Sequence, residues 1–475
     1  MQKMIRSRLN AGFLFGFAGC LFAGNTSADI MDNSFIKDSK ATIGLRNFYM
    51  NQDQRHGGDA TLDEWGQAFM FNFQSGYTPG VVGFGVDLYA DYGVRLDGGS
   101  YSGKSGADRI ASTSGSFPLE SNGKYKHDFG RVGYTGKIRY SKTEAHVGTL
   151  RPKFAVIRAN DARLLPELFW GYQLTSREID NLTLVGGRIE HSTERNSSNS
   201  DSLSVQGSNS SRSTGAFSNS FFYAVAEYQF KDVLKGSTLD LLKNTTLTYN
   251  YGGLQDFYKQ HFVGLINNLQ LPVGVWQTDF RYYNSSSSGA NSTASGRARG
   301  YHMAGRWAKG DKHQYEVDNR LWSLQFTYSV WGHAVKAGYQ KITGHSDFPS
   351  IATDSGTGRS LYLITNTNIQ GAKFSSAGER TWVAGYSYDF SHIGVPGLSI
   401  SNTYYKGTHI ADTVNGHKVN AEEWARDLTL AYQIQQGTFK GLGITWTNGT
   451  WRGDDSGTKD RDENRVAINY SLALF

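Results

Sequence analysis

The chain has 475 residues, with 48 Lys and Arg against 42 Asp and Glu, 38% hydrophobic and 13% aromatic residues, 56 glycines and 7 prolines. A near balance of charge along the whole length excludes a polybasic nucleic-acid binder, and the aromatic content argues against global disorder. No apolar run reaches the ~18 residues that a spanning helix needs, which excludes an α-helical membrane protein.

At the amino terminus, Lys3, Arg6 and Arg8 precede an apolar stretch from Ala11 to Ala23, followed by Asn25-Thr26-Ser27-Ala28 and Asp29. A basic start, a short apolar segment and a small-residue exit make 1–28 a secretory signal peptide, cleaved near Ala28, and leave 29–475 as one mature domain. Phe17-Ala18-Gly19-Cys20 has the cysteine of a lipoprotein signal, but the apolar run continues past it and Phe17 stands where a smaller aliphatic is usual. Cys20 is the only cysteine, so the mature chain has no disulfide, thiol nucleophile or cysteine metal site. The histidines are scattered without metal-ligand spacing, and no cofactor is expected.

A period of two then sets in. Trp65, Gln67, Phe69, Phe71 and Phe73 alternate with Gly66, Ala68, Met70, Asn72 and Gln74. Val82, Phe84, Val86, Leu88 and Tyr92 oppose Gly83, Gly85, Asp87, Tyr89, Asp91 and Arg95, and Val132, Tyr134, Ile138 and Tyr140 oppose Arg131, Thr135, Lys137 and Arg139. The alternation recurs at 276–282, 322–330, 382–390, 428–434, 442–446 and 466–474, a series of amphipathic β-strands. Phe475 ends the chain one residue out of the phase of Val466, Ile468, Tyr470, Leu472 and Leu474.

Which way these strands bury their apolar face follows from what surrounds them. Strands of ~9–11 residues or more can cross a bilayer at a tilt. Tyr49, Tyr77, Tyr140, Tyr388 and Phe390 gather near strand ends as an interfacial girdle does. The polar face carries charge in mid-strand, which a crowded soluble interior does not tolerate. Short turns near 78–80, 141–142, 180–181, 231–243, 272–274, 332, 391–397 and 435–441 alternate with long polar loops near 51–63, 97–126, 151–170, 191–218, 252–259, 284–319, 344–379, 407–423 and 452–463. Eight turns and nine loops separate 18 strands, an even number that returns both termini to the periplasmic side. A lipid-exposed sheet must close, because an open edge leaves backbone groups unpaired in hydrocarbon. The expected fold is all-β: an 18-stranded antiparallel transmembrane β-barrel.

Ser34-Phe35-Ile36, Leu45-Arg46-Asn47-Phe48-Tyr49, Glu64-Trp65-Gly66-Gln67, Phe73-Gln74-Ser75-Gly76-Tyr77-Thr78 and Val82-Gly83-Phe84-Gly85-Val86-Asp87 together resemble the opening of the OprD-type substrate-specific porins. Ser141-Lys142-Thr143-Glu144, Asp161-Ala162-Arg163-Leu164-Leu165-Pro166, Leu174-Thr175-Ser176-Arg177-Glu178-Ile179 and Gly394-Val395-Pro396-Gly397-Leu398 continue the resemblance in order. It implies an 18-stranded outer-membrane barrel of pseudomonads and related bacteria that passes small carboxylate-bearing nutrients. It also implies that the segment from Leu150-Arg151-Pro152-Lys153 through Trp170, which holds Arg158, Asp161, Arg163 and Glu167, folds inward as a constriction loop.

A selective pore needs a field as well as a constriction. Guanidinium groups bind carboxylates as a bidentate fork and stay charged. The inward phase offers Arg46, Arg131, Lys137, Arg139 and Arg281, with Arg188 placed beside them. Arg46, Arg139 and Arg281 fall in segments that match the family's basic ladder. Arg380 stands at an expected basic position but shares phase with Trp382, and Thr403 and the strand at 443–446 lack ladder arginines, so the row thins toward the carboxy terminus. Asp87 and Asp91 share one face about 13 Å apart by strand rise, too far for a glycosidase pair. Facing Arg131, Lys137 and Arg139, they either set up a transverse field or form cross-strand ion pairs. The expected function is a porin for small carboxylate solutes, seated in outer-membrane lipid as a monomer or weak trimer, with no nucleic-acid partner and no enzymatic activity. The alternatives are a surface β-rich adhesin or receptor, and a barrel hydrolase built on Asp311-Lys312-His313.

Overall fold

A computed structural model describes residues 34–55, 61–102, 115–121, 125–205, 216–230, 242–353, 361–369, 371–414, 417–454 and 460–475. The expected signal peptide and its cleavage site lie outside the described residues. Among the described residues, apart from two short helices, α1 (Ser34–Lys37) and α2 (Ala294–Ala298), and brief turns of 3-10 helix, the regular structure is β. The strands are β1 (Lys40–Gln54), β2 (Thr61–Gln74), β3 (Val82–Ser102), β4 (Asp128–Tyr140), β5 (Thr143–Leu150), β6 (Leu168–Ser176), β7 (Leu182–Thr193), β8 (Asp201–Val205), β9 (Phe221–Phe230) and β10 (Thr245–Leu254). They continue as β11 (Tyr258–Gln270), β12 (Val275–Ser287), β13 (Asp318–Val330), β14 (His333–Gly344), β15 (Ile351–Thr353), β16 (Arg380–Asp389), β17 (Leu398–Val414), β18 (His417–Gln433), β19 (Gly443–Gly453) and β20 (Arg461–Ala473).

Eighteen of these strands form one closed antiparallel barrel. Each pairs with its chain neighbour, with β7 joined to β9 and β14 to β16, and β1 pairs with β20 from Thr42↔Ala473 to Gln54↔Arg461 to close the ring. The strands β8 and β15 lie outside the barrel ring and pair with each other, Val205 opposite Ile351, as a small ribbon that ties two long loops together, and β8 also meets the end of β7, His191 opposite Ser202. Closure leaves the barrel without a sheet edge, as a lipid-facing sheet requires.

The two faces separate as the alternation predicts. Phe84, Val132 and Tyr134 are 53%, 79% and 62% exposed on the outer wall, while Asp87, Thr135 and Lys137 on the same strands are buried inside. Burial of the inner face comes from long loops that fold back into the lumen. Leu164 and Leu165 of the third long loop pack with Phe48, Met50, Leu62, Phe117, Tyr125 and Phe129 against the inner wall. Short connections sit where expected. The two-residue hairpin Trp331-Gly332 has φ of +48° and +81°, the left-handed pair whose twist matches the flanking strands.

One expectation is corrected. The segment 407–423, read as a loop, is strand over its described residues: β17 runs on to Val414 and β18 starts at His417, the two paired along this stretch and irregular between Gly407 and Ile410. Hydrophobic alternation stops where the wall leaves the lipid, but the hydrogen-bond ladder does not need lipid to continue. The offset of Phe475 also has a cause. Strand β20 ends at Ala473; Leu474 N–H then donates to the Ala41 carbonyl, Ala41 N–H donates to the Phe475 carbonyl, and the Phe475 ring packs edge-on to Phe73 at 6.5 Å. Past the strand end, phase no longer dictates direction.

Candidate functional site

The lumen is narrowed by the third long loop, 151–167. Its chain doubles back on itself: Phe154 N–H donates to the Ile157 carbonyl and Ala159 N–H to the Pro152 carbonyl. One end of this hairpin reaches β10, where Ala155 N–H donates to Asn250 Oδ1 at 2.9 Å and Val156 sits so close to Gly252 that a Cβ there would lie 2.8 Å away. The other end lies against β1 to β3, where Leu164 occupies the space a side chain at Gly66 would need. Loop and wall therefore interlock, and the expected inward-folded constriction is present.

Arg46 on β1 is the hub of this contact. Its Nη1 donates to Asp161 Oδ1 at 2.7 Å and to the Arg163 carbonyl at 2.8 Å, and its Nε donates to Asn469 of β20 at 2.9 Å. Asp161 keeps a half-exposed side chain toward the water path. Arg163 is not a pore-lining cation. It is buried behind the loop among Glu64, Glu463, Arg195 and Arg465, and burial first, then the two neighbouring guanidinium groups, push its pKa down. Arg158 stays beside the water path with its guanidinium 5.6 Å from the Tyr362 ring.

The acids and bases of β3 and β4 pair across the strands. Arg131 binds Asp91 at 3.2 Å and also donates to the carbonyls of Glu194 and Pro166, which fastens the ends of two loops to the wall. Lys137 binds Asp87 at 2.6 Å and the Ser75 carbonyl at 2.7 Å. Of the two readings left open for these residues, the ion-pair one describes their contacts. Arg139 stands over the Tyr77 ring at 4.3 Å, near the short-turn mouth. Arg281 on β12 is held by Asp279 in a two-point fork, 2.9 and 2.6 Å, with its face 3.9 Å from the Tyr362 ring.

Arg188 and Arg380 lie on the other side of the wall, a correction to their placement in the lumen. Val185 and Ile189 are buried within, so Arg188 shares the outer phase of Leu184 and lies 5.4 Å from the outward Phe222 ring. Thr381 and Val383 are buried within while Trp382 is 63% exposed, which sets Arg380 outside. On β7 the adjacent apolar pair Leu184-Val185 blurs the alternation, and only the register resolves it.

The seventh long loop also folds inward, which sequence alone did not indicate. Phe374 carbonyl accepts from Gln340 Nε2 at 2.8 Å, Asn368 N–H donates to Asp427, and Ile369 fills the space over Gly449. The apolar run Leu361-Tyr362-Leu363-Ile364 inside an otherwise polar loop was the available signal. Lys336 and Arg177 are further missed cations; Lys336 lies on the inner phase of β14, opposite Gly385. Beneath the third loop a cavity of about 380 Å³ is lined by Lys153, Arg177 and Arg281, by Glu227 and Asp279, and by Phe154, Phe262 and Tyr362. A larger recess, about 710 Å³, lies at the short-turn rim around Pro272 to Gly274 and Trp331 to Ala334, away from the constriction.

A closed barrel crossed by an inward loop is the architecture of a channel, and comparison with known proteins decides which one. Residues 33–474 match the outer membrane porin, OprD family. The chain belongs to the OprD family of outer-membrane porins. Porin-like protein GalP of Pseudomonas putida is 32% identical, covering 95% of this chain and 96% of that one. The crystal structure of Pseudomonas aeruginosa OccK8 (OprE) is 46% identical with a TM-score of 0.82 over 93% of this chain and 100% of that chain. That of Pseudomonas aeruginosa OpdK with vanillate is 28% identical with a TM-score of 0.76, at the same coverage. The relatives are channel proteins rather than enzymes. In this porin the long loops are extracellular, the short turns periplasmic, and small solutes cross the outer membrane between them. His313 serves the sixth long loop as a structural group, bonded to Glu316 at 2.7 Å.

Proposed function

We propose that this porin passes small carboxylate-bearing solutes, aromatic acids foremost. The observation that carries this reading is the cavity beneath the constriction, whose lining has three cations, two acids and three aromatic rings. Its volume falls in the ~300–1,000 Å³ range of small-ligand sites. A solute ring lying against the touching pair Phe262 and Tyr362, 6.0 Å apart, puts a carboxylate within reach of Arg281, Arg177 or Lys153. Because Asp279 already holds Arg281, an entering carboxylate exchanges for an internal one, so binding is weak and release is fast, as conduction requires. Vanillate, bound in the related OpdK structure, is an aromatic carboxylate and supports the same reading. Arg46, Arg139, Arg158 and Lys336 extend the proposed pathway above and below, with Asp161 as the internal competitor at Arg46.

The test is the purified mature protein in planar bilayers and liposomes. Benzoate is expected to reduce single-channel current and to be taken up ahead of a neutral analogue of equal size. Arg281→Gln, which leaves Asp279 unpaired, should shift the reversal potential toward cations and cut benzoate uptake by about tenfold, the scale of one charge-assisted hydrogen bond. Uptake and selectivity that do not change would leave a general diffusion porin.

A further inference from the structure

The outer wall carries a charge feature that conduction does not use. On the faces of β13, β14 and β16, residues Trp322, Lys341 and Arg380 stand side by side in register, near the extracellular ends of the strands. One row nearer mid-membrane, Tyr339, Trp382, Lys406 and Trp424 continue the same arrangement across to β18. The rings touch: Trp322 to Tyr339 is 5.4 Å and Tyr339 to Trp382 is 4.7 Å. These aromatics mark the outer interface of the bilayer, so Lys341 and Arg380 sit just above it, at headgroup depth.

Neighbouring cations on this face have partners. Arg320 binds Asp318 at 3.3 Å and Lys406 binds Glu422. Among the described residues, no carboxylate lies within ion-pair distance of Lys341 or Arg380, and Arg380 Nε is fully buried without a hydrogen-bond partner. Two adjacent cations, one strand spacing of about 4.8 Å apart, repel each other at the edge of hydrocarbon, where charge is costly. An anion with several acceptor oxygens relieves both, and Arg and Lys are the side chains that bind phosphate.

We propose that Lys341 and Arg380, with the Trp322 ring beside them and the Tyr339 and Trp382 rings beneath, form a binding site for the phosphate group of an outer-leaflet lipid. Its acyl chains run down the apolar wall while the phosphate bridges the two cations. The position selects a lipid over free phosphate, because the site faces the bilayer and the rings below it offer contact only to an apolar tail.

The experiment uses the folded mature porin in nonionic detergent, titrated with bisphosphorylated lipid A and read as bound-lipid adducts by native mass spectrometry. The wild type is expected to retain the lipid. Lys341→Gln/Arg380→Gln should weaken retention by at least about tenfold, with single-channel conductance unchanged. Dephosphorylated lipid A should bind the wild type no better than the phosphorylated lipid binds the double variant, and millimolar inorganic phosphate should not displace the lipid. Equal retention by wild type and double variant overturns the proposal, as does full displacement by inorganic phosphate. Should the double variant lose its heat-modifiable folded band, Arg380→Gln and Lys341→Arg are read singly; retention must fall in the first and persist in the second, and equal retention in both overturns the site.

Discussion

Arg46 shows how one side chain can serve both structure and passage. It joins β1 to β20 at the closing seam, holds the constriction loop through Asp161, and presents a guanidinium at the water path. Removing one partner of a paired charge leaves the other uncompensated, and the cost rises with burial. Arg46 is largely shielded and Asp161 half exposed, so the two substitutions are expected to differ. Asp161→Asn frees Arg46 for anions and should raise the anion-to-cation permeability ratio several-fold. Arg46→Ala strands a carboxylate at the constriction and should lower it. Reversal potentials in a salt gradient check the pair; a shift in the same direction for both would show that the charges act only through loop position. Arg131 and Lys137 carry the same lesson in a harder form, because their ion pairs and backbone contacts leave little of either charge to a passing solute.

The constriction loop is an element held by buried polar contacts rather than by its own secondary structure. Glu167 closes it: one carboxylate oxygen accepts from Asn160 N–H and the other from Ser192 Oγ, both at 2.9 Å. Burial pushes the Glu167 pKa up to about 8, with the Asn160 N–H opposing and the Glu194 carboxylate adding to it. A carboxyl whose folded pKa lies above its unfolded value of about 4.5 contributes fully below that lower value, and the contribution is lost as pH rises through the interval to the folded pKa. Loop anchorage is therefore expected to weaken from about pH 4.5 to about pH 8 and to stay weak above. Channel recordings across this range should show conductance or gating noise rising with pH in the wild type, and a flat profile in Glu167→Gln, which keeps the neutral shape. A rise of equal size in the variant would assign the pH response elsewhere. The loop's apolar anchors act alongside: fully burying a leucine such as Leu164 is worth roughly 1.5–3 kcal/mol.

For the molecule as a whole, stability depends on closure. The β1–β20 seam supplies a continuous ladder from Thr42 to Gln54, and Phe475 packs on Phe73 at its periplasmic end. A chain lacking residues 466–475 would leave the periplasmic half of β1 unpaired in lipid, where each unsatisfied backbone group costs several kcal/mol. Such a truncation is expected to abolish the heat-modifiable folded band and channel activity together. Phe475→Ala, which removes one ring contact, should fold more slowly yet still close. A folded, conducting truncation would show that the seam is not limiting. The composition also makes sense at this level: a chain apolar at every second residue has a polar average because lipid is outside and water within.

Strand number, antiparallel order, closure and the lipid-facing residues were legible because a period of two is a local property, repeated in each strand and enforced by the bilayer. Tyr134 and Asp87 could be assigned to opposite faces from their neighbours alone. The position of Arg188 was not so legible, since beside the apolar pair Leu184-Val185 the alternation loses its phase and register decides, whereas for Arg380 the phase shared with Trp382 was the right guide and its expected basic position the wrong one. The site was less legible still. That Arg163 is buried, that Arg131 and Lys137 are spoken for, and that the seventh loop enters the lumen are outcomes of contacts between residues far apart in the chain. Alternation states which side of the wall a residue occupies; only the folded loops decide which inner charges are left for a solute, because that depends on which partners the closed barrel brings within hydrogen-bond reach.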